Sequence, residues 1–593
     1  MKLLALVLTL AALPAAAQSP DVIYFHGDIL TGAHLRADDA SKTPARVTAV
    51  AVRDGKITAI GSDKDVLALK GPKTNTVDLH GTFAMPGFND AHTHIAYAGQ
   101  QKLSVDLDNV PSLAAMQAKI KEYAANLAPG AWIVGGGWDH TKWASKKLPT
   151  RQDLDVVTGN HPAYLQRTDG HIAVVNTAAL KAAGIDGSTK APQGSQIDLD
   201  ASGNPTGIIR EDAARALIEA KIPKPDAATR RKALQLSIDD ALTHGVTSVQ
   251  DFSDWDDFLV LEQMERDHAL HLRISEWLTF NDPVDVLKQH QASHPQDDPL
   301  LHTGMLKGFM DGSLGSRTAA MLAPYSDDPG NSGLPRYDQA KLNAMTKERA
   351  GAGFQIGFHA IGDKANAMAL DAFSAADDAI ETAVESQRLQ ESKACFAANP
   401  EARNIPDSCG TLPLPRVLAS WRQRFRIEHA QVLAPSDFER FHKLGIIASM
   451  QPSHLLTDMA WAGDRLGPDR SQYAYAWRSF LDYSVTLAFG TDYPVESISP
   501  FRGLSSAVTR MNEAGTQTFQ PQEKITIQQA IYAYTQASAF AEKEEKLKGR
   551  LEPGYLADIV VLDHDITTAT PREILNTKVM RTVLGGETVY QAK

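Results

Sequence analysis

The chain has 593 residues, 43% of them apolar and 22% charged, and a net charge of −12. That length exceeds one ordinary compact domain, so either one large domain with attachments or several domains are expected. The acidic balance argues against a nucleic-acid or anionic-membrane partner, because both select a basic patch.

The first feature in chain order is an export signal. Lys2 supplies a short basic region, Leu3 to Leu13 is an apolar run too short to span a bilayer, and Pro14 precedes Ala15-Ala16-Ala17. This pattern predicts a signal peptide over residues 1–17, Gln18 as the mature N-terminus, and a periplasmic or secreted protein. No cysteine follows the cleavage site, so no lipid anchor is expected. No later segment has the apolar length of a transmembrane helix.

From about Asp21 to Thr82, short β-rich runs alternate with Gly and Asp turns, and Arg53-Asp54-Gly55-Lys56 is a hairpin signal. The tail repeats that texture in 557–562 and 579–584. One small β-domain assembled from both chain ends is the simplest arrangement.

The middle alternates β-rich runs with longer helical segments, the pattern of a parallel sheet with crossover helices. The candidate strands are Phe83–Phe88, Val246–Gln250, His271–Ser275, Met305–Phe309, Phe354–Phe358, Phe425–Glu428, Ile446–Met450 and Val485–Phe489. About eight strands is the number that closes a (β/α)8 TIM-like barrel. Two gaps are long for βα connections. The first, about 99–238, contains Gly-Ala-Trp-Ile-Val-Gly-Gly-Gly-Trp-Asp and reads as a subdomain inserted after the first strand. The second, about 385–415, reads as an inserted loop holding the only two cysteines, Cys395 and Cys409. In an oxidising compartment these are expected to pair, contributing roughly 3 kcal/mol in the chain-entropy model.

Chemistry-bearing residues recur at the strand ends. His92 and His94 form a His-x-His, with Asp90 on the same strand face. Lys307 lies in the fourth strand, His359 ends the fifth, His429 the sixth, and Asp492 follows the eighth. A barrel places catalytic groups at these carboxyl ends. His140, His161, His244, His302 and His442 are left as ordinary packing or surface histidines. Lys307 poses a separate problem, since an ammonium has no lone pair and is costly in an apolar strand. Carbamylation by carbon dioxide would turn it into an anionic ligand able to bridge two cations.

The runs Pro-Gly-Phe-Asn-Asp-Ala-His-Thr-His, Lys-Gly-Phe-Met-Asp-Gly-Ser-Leu-Gly-Ser-Arg-Thr-Ala, Phe-His-Ala-Ile-Gly-Asp, Arg-Ile-Glu-His-Ala-Gln, Phe-Gly-Thr-Asp-Tyr-Pro and Gly-Tyr-Leu-Ala-Asp-Ile-Val-Val together complete a family pattern. The chain resembles the amidohydrolase superfamily, in its family 3 branch of metal-dependent hydrolases. The resemblance implies an α/β fold, a (β/α)8 barrel over 85–544, and a composite β-sandwich from 18–84 and 545–593. It further implies one or two divalent metals, usually zinc. His92, His94 and Asp492 would bind one, His359 and His429 the other, with carbamylated Lys307 bridging. Trp138, His171, Arg317 and His454 would face the substrate. The cysteine-containing insertion is not required by the pattern.

The expected reaction is hydrolysis of an amide-type C–N bond in a small molecule by a metal-activated hydroxide, with Asp492 as catalytic proton shuttle. Esterase or lactonase activity and a mononuclear deaminase use related machinery. A non-catalytic exported binding protein is the alternative of another class. The expected partner is a small-molecule substrate, and a homo-oligomer is compatible with the sequence.

Overall fold

The computed structural model describes residues 19–36, 43–398 and 418–593. The expected signal peptide, 1–17, lies outside them, as does Cys409, the expected partner of Cys395.

The two chain ends build two sheets. A four-stranded sheet orders Lys56–Gly61, Ala49–Arg53, Val22–Phe25 and Asn75–Asp78. A six-stranded sheet orders Glu587–Gln591, Val579–Leu584, Ile559–Leu562, Phe83–Pro86, Asp28–Leu30 and Arg46–Val47. The expected Asp54-Gly55 hairpin is present, with φ of 50° and 75° at its two central residues. Positive φ at both is what a type I′ turn requires.

The run Phe83–Phe88 is not one barrel strand. Phe83–Pro86 belongs to the six-stranded terminal sheet, pairing with Asp28–Leu30 and Ile559–Leu562. The barrel strand is β1, Phe88–Thr93. The chain changes sheets at Gly87, where a Cβ would lie 2.2 Å from Thr247 Oγ1. An unbroken apolar run conceals that change, because both strands are fully buried.

The other barrel strands are β2 (Val246–Asp251), β3 (Arg273–Thr279), β4 (Leu301–Phe309), β5 (Ile356–Ala360), β6 (Arg426–His429), β7 (Ile447–Met450) and β8 (Leu487–Phe489). Successive strands pair in parallel in chain order. The sheet is a nearly closed (β/α)8 barrel, and a parallel bridge between Thr93 and Tyr493 joins its first and last strands at their carboxyl ends. Gly490 makes that approach possible, since a Cβ there would stand 2.6 Å from the His92 backbone nitrogen.

The insertion is narrower than 99–238. Its own six-stranded sheet runs from Val105–Asp106 to Pro205–Arg210. Helices Ile95–Leu103 and Ala227–Thr243 flank it and pack on one another. They touch at Gly99, where a Cβ would fall 1.9 Å from the Ala233 carbonyl oxygen. Thr150 and Asp153 form a reciprocal capping box at the start of the insert's helix Arg151–Thr158. The second insertion does not begin as loop at residue 385, because helix Asp363–Ala398 extends into it and carries Cys395. Eleven of that helix's 36 residues are alanine, the residue of highest helix propensity. Among the described residues no helix is long and apolar enough to cross a membrane.

Candidate metal centre and pocket

His92 sits near the end of β1, fully buried, and His94 follows directly as the cap of helix Ile95–Leu103. Their rings are wired from behind. His92 Nδ1 lies 2.8 Å from Glu428 Oε2, and His94 Nδ1 3.0 Å from the Phe252 carbonyl oxygen. His429 Nδ1 lies 2.7 Å from Gln451 Oε1. Each partner is an acceptor, so each Nδ1 holds the hydrogen and each Nε2 keeps its lone pair. His359 is wired the other way, its Nε2 lying 3.0 Å from the Gly312 carbonyl oxygen, which leaves Nδ1 as the lone-pair nitrogen.

The Nε2 atoms of His92 and His94, with that of His454, converge on Asp492. Its Oδ1 lies 3.1 Å from His94 Nε2 and 3.5 Å from His92 Nε2, and its Oδ2 3.4 Å from His454 Nε2. Two donor groups result, His92–His94–Asp492 and His429–His454–Asp492, each with ligand atoms within 4.8 Å of one another. His359 adjoins the second group with its ring centroid 4.5 Å from that of His429, but His454 is the third member. Lys307 Nζ stands 2.9 Å from His92 Nε2, between the rings of Trp277 and Phe309.

The electrostatics suit cation binding. Burial, with Lys307 beside it, pulls the His92 imidazole down to about 4. Burial likewise holds His359 and His429 well below the usual histidine range, so all three rings are neutral at neutral pH. Burial brings the Lys307 ammonium down to about 8, which makes the neutral amine accessible. Burial alone would raise Asp492, but His92, His454 and His94 outweigh it and keep it a carboxylate. Neutral imidazoles and a carboxylate with converging lone pairs are a donor set that fits zinc. His429 and Asp492 both adopt left-handed backbone, φ 72° and 60°, a strained conformation that concentrates at functional sites.

Asp90 supports the site through the backbone. Its carboxylate accepts hydrogen bonds from Thr491 N and Oγ1 and from His92 N, tying β1 to the segment that carries Asp492. Behind His92, Arg426 donates to Glu428, the Ala91 carbonyl, Ser449 and Gln250, and so braces four strands at once. Neither Glu428 nor Arg426 was among the residues expected from sequence. Their i, i+2 spacing in Arg-Ile-Glu-His was the available signal, placing both on the inward face opposite His429's neighbour Ile427.

The centre opens into a cavity of about 420 Å³ lined by His92, His94, Lys307, His359, His429, His454 and Asp492. The insert supplies its outer wall, including Arg167, Asp169 and His171. His171 is held by Glu211, 2.9 Å from its Nδ1. Arg167 is neutralised by Asp139 at 2.5 Å and Asp169 at 2.6 Å. Burial alone would raise Asp139, but Arg167 and Thr141 outweigh it and hold the carboxyl at about 2.

Two expected substrate residues are elsewhere. Trp138 is fully buried in the insert, donates to the Leu165 carbonyl and packs beside Trp143. Arg317 pairs with Asp327 at 2.8 Å and lines a separate depression with Asp328 and Asn331. Its backbone is left-handed, φ 56°, in the turn after β4. His171 and His454 do line the cavity.

The profile of the amidohydrolase family matches residues 75–407 and 416–590. Protein LONG AFTER FAR-RED 3 of Arabidopsis thaliana is 33% identical over 97% of this chain and 93% of its own. An N-substituted formamide deformylase of Arthrobacter pascens is 25% identical, covering 95% of this chain and 98% of its own. Among solved structures, an uncharacterized metal-dependent hydrolase of Pyrococcus horikoshii OT3 superposes with a TM-score of 0.68 at 25% identity, over 93% of this chain and 99% of its own. With the barrel, the histidines at its carboxyl end and a profile match over nearly the whole chain in agreement, this protein belongs to the amidohydrolase family of metal-dependent hydrolases.

Proposed function

We propose that this is an exported hydrolase that cleaves an amide-type C–N bond in a small molecule. The observation that carries this reading is Asp492, which touches His94 Nε2 with one carboxylate oxygen and His454 Nε2 with the other. One or two divalent ions, zinc by donor type, held by His92, His94 and Asp492 and by His359 and His429, would polarise the substrate carbonyl and acidify water. Lys307, as its carbamate, would join the two ligand groups.

The remaining chemistry falls to side chains of this chain. Asp492 accepts the proton released by the attacking water at its carboxylate and delivers it to the leaving nitrogen, with His454 Nε2 3.4 Å from its other oxygen. Burial alone would lower the His454 pKa, but the adjacent Asp492 carboxylate outweighs it and raises it. An amine is a poor leaving group until protonated, so an acid relay serves an amide more than an ester. The deformylase relative supports the same bond type, because its name describes cleavage of N-substituted formamides. Export rests on the tripartite segment at residues 1–17.

The test is a panel of N-substituted formamides, N-acyl amines, esters and lactones, run on metal-stripped and zinc-reloaded protein. Zinc-dependent amide hydrolysis supports the proposal, and hydrolysis confined to esters or lactones contradicts it. Amino-terminal sequencing of protein from the periplasm tests the cleavage after Ala17.

A further inference from the structure

A second cluster of metal-ligating side chains lies at the opposite end of the barrel. Helix Trp255–Arg266 follows β2 and carries Glu262 and Glu265 in its last turns. The connection entering β4 carries His294 and Asp298. All four therefore sit at the amino-terminal end of the parallel strands, away from Lys307 at the other end of β4.

The geometry is that of an oriented ligand. His294 Nδ1 lies 3.0 Å from Glu262 Oε1, which fixes the hydrogen on Nδ1. Its Nε2 is buried and makes no hydrogen bond, and the side chain is only 8% exposed. That nitrogen points at two carboxylates, Glu265 Oε2 at 3.5 Å and Asp298 Oδ2 at 3.9 Å. Asp298 Oδ1 is committed to the Leu300 backbone N–H at 2.7 Å, which leaves Oδ2 for the cluster. The ligand atoms of His294, Glu265 and Asp298 lie within 4.8 Å of one another.

In the neutral ring the Nε2 lone pair faces two carboxylates, an arrangement that a cation bound among the three would satisfy. Arg266 does not supply that cation, since its guanidinium lies 3.8 Å from Glu262 and donates to Gln263, and Arg273 is committed to Asp558 and the Pro299 carbonyl. The carboxyl end of the helix adds a negative dipole.

We propose that His294, Glu265 and Asp298 form a second, non-catalytic site for a divalent transition metal, zinc by its mixed imidazole and carboxylate donors. Glu262 orients the imidazole, and the partly exposed side of the cluster leaves room for a water ligand. The bound ion ties the helix after β2 to the entry of β4, so its effect is on stability and not on turnover.

The experiment is equilibrium dialysis of full-length protein against buffered Zn²⁺, with zinc per chain counted for wild type and for Glu265→Gln/Asp298→Asn. The double variant should bind one zinc fewer per chain, hydrolyse substrate as the wild type does, and lose part of the zinc-induced rise in Tm. Equal stoichiometry and equal Tm response in both proteins would overturn the site. If the variant does not fold, crystals of the wild type grown with zinc decide the matter. An anomalous peak among His294, Glu265 and Asp298 supports the site, and none there, with zinc present at the catalytic centre, overturns it.

Discussion

Glu428 receives the back of His92: its Oε2 lies 2.8 Å from Nδ1, and both side chains are fully buried. This contact connects β6 to β1 across the barrel and fixes which imidazole nitrogen is offered to a metal. Burial alone would raise the Glu428 carboxyl, but Arg426 and His92 outweigh it and keep it ionised.

Replacing Glu428 with Gln keeps its volume but removes the charge that holds the His92 hydrogen on Nδ1. Zinc affinity should fall by about 10–100-fold, as is typical when the partner of a metal-binding histidine is lost. Metal-buffered titration measures the shift, and excess zinc should restore part of the activity.

Lys307 provides a test of the bridging ligand. Formation of the carbamate consumes carbon dioxide and the neutral amine, and burial brings that amine within reach at neutral pH. Zinc loading of stripped protein should therefore depend on bicarbonate, and Lys307→Met should lose that dependence together with part of its metal. ¹³C-bicarbonate labelling read by NMR should show a carbamate carbon in the wild type and not in the variant.

The Asp139–Arg167 pair shapes the wall of the pocket, and its contribution to stability has a defined sign with pH. The Asp139 carboxyl is held at about 2, below its ordinary value of 3.8, so its contribution is present above about pH 4 and disappears as pH falls toward 2. The shift corresponds to about 2 kcal/mol. Asp139→Asn should cost about that much at pH 7, with the gap to wild type closing in acid. Denaturation followed by the fluorescence of Trp138 and Trp143 reports on this part of the insert.

Trp138 and Arg317 should separate from the catalytic residues. Trp138→Ala removes a fully buried ring and should destabilise the insert by about 3–5 kcal/mol without changing zinc content. Arg317→Ala breaks only a partly exposed pair with Asp327 and should leave KM unchanged. Steady-state kinetics and metal analysis distinguish these outcomes from direct substrate contact.

Much of this architecture is visible in the residues themselves. Barrel strands buried on both faces read as short apolar runs, and their polar residues collect at the carboxyl ends, so His92, Lys307, His359 and His429 could be found by position alone. The boundary at Gly87 could not, because two consecutive buried strands in different sheets share one hydrophobic pattern. Trp138 and Arg317 were expected at the pocket from the family resemblance, and they lie elsewhere because side-chain direction depends on the tertiary course of the insert and of the turn after β4. Glu428 escaped notice because its importance lies in a contact with a residue 336 positions away. His454 was expected to touch substrate, and its contact with Asp492 emerges only when β7 and β8 are brought together.

The most direct test of the proton relay is the turnover of Asp492→Asn on an N-substituted formamide, measured with zinc in excess and with bound metal counted in the same samples. The proposal predicts a folded protein whose kcat falls by at least about 10²-fold while zinc is retained. Turnover close to wild type with zinc bound would contradict it.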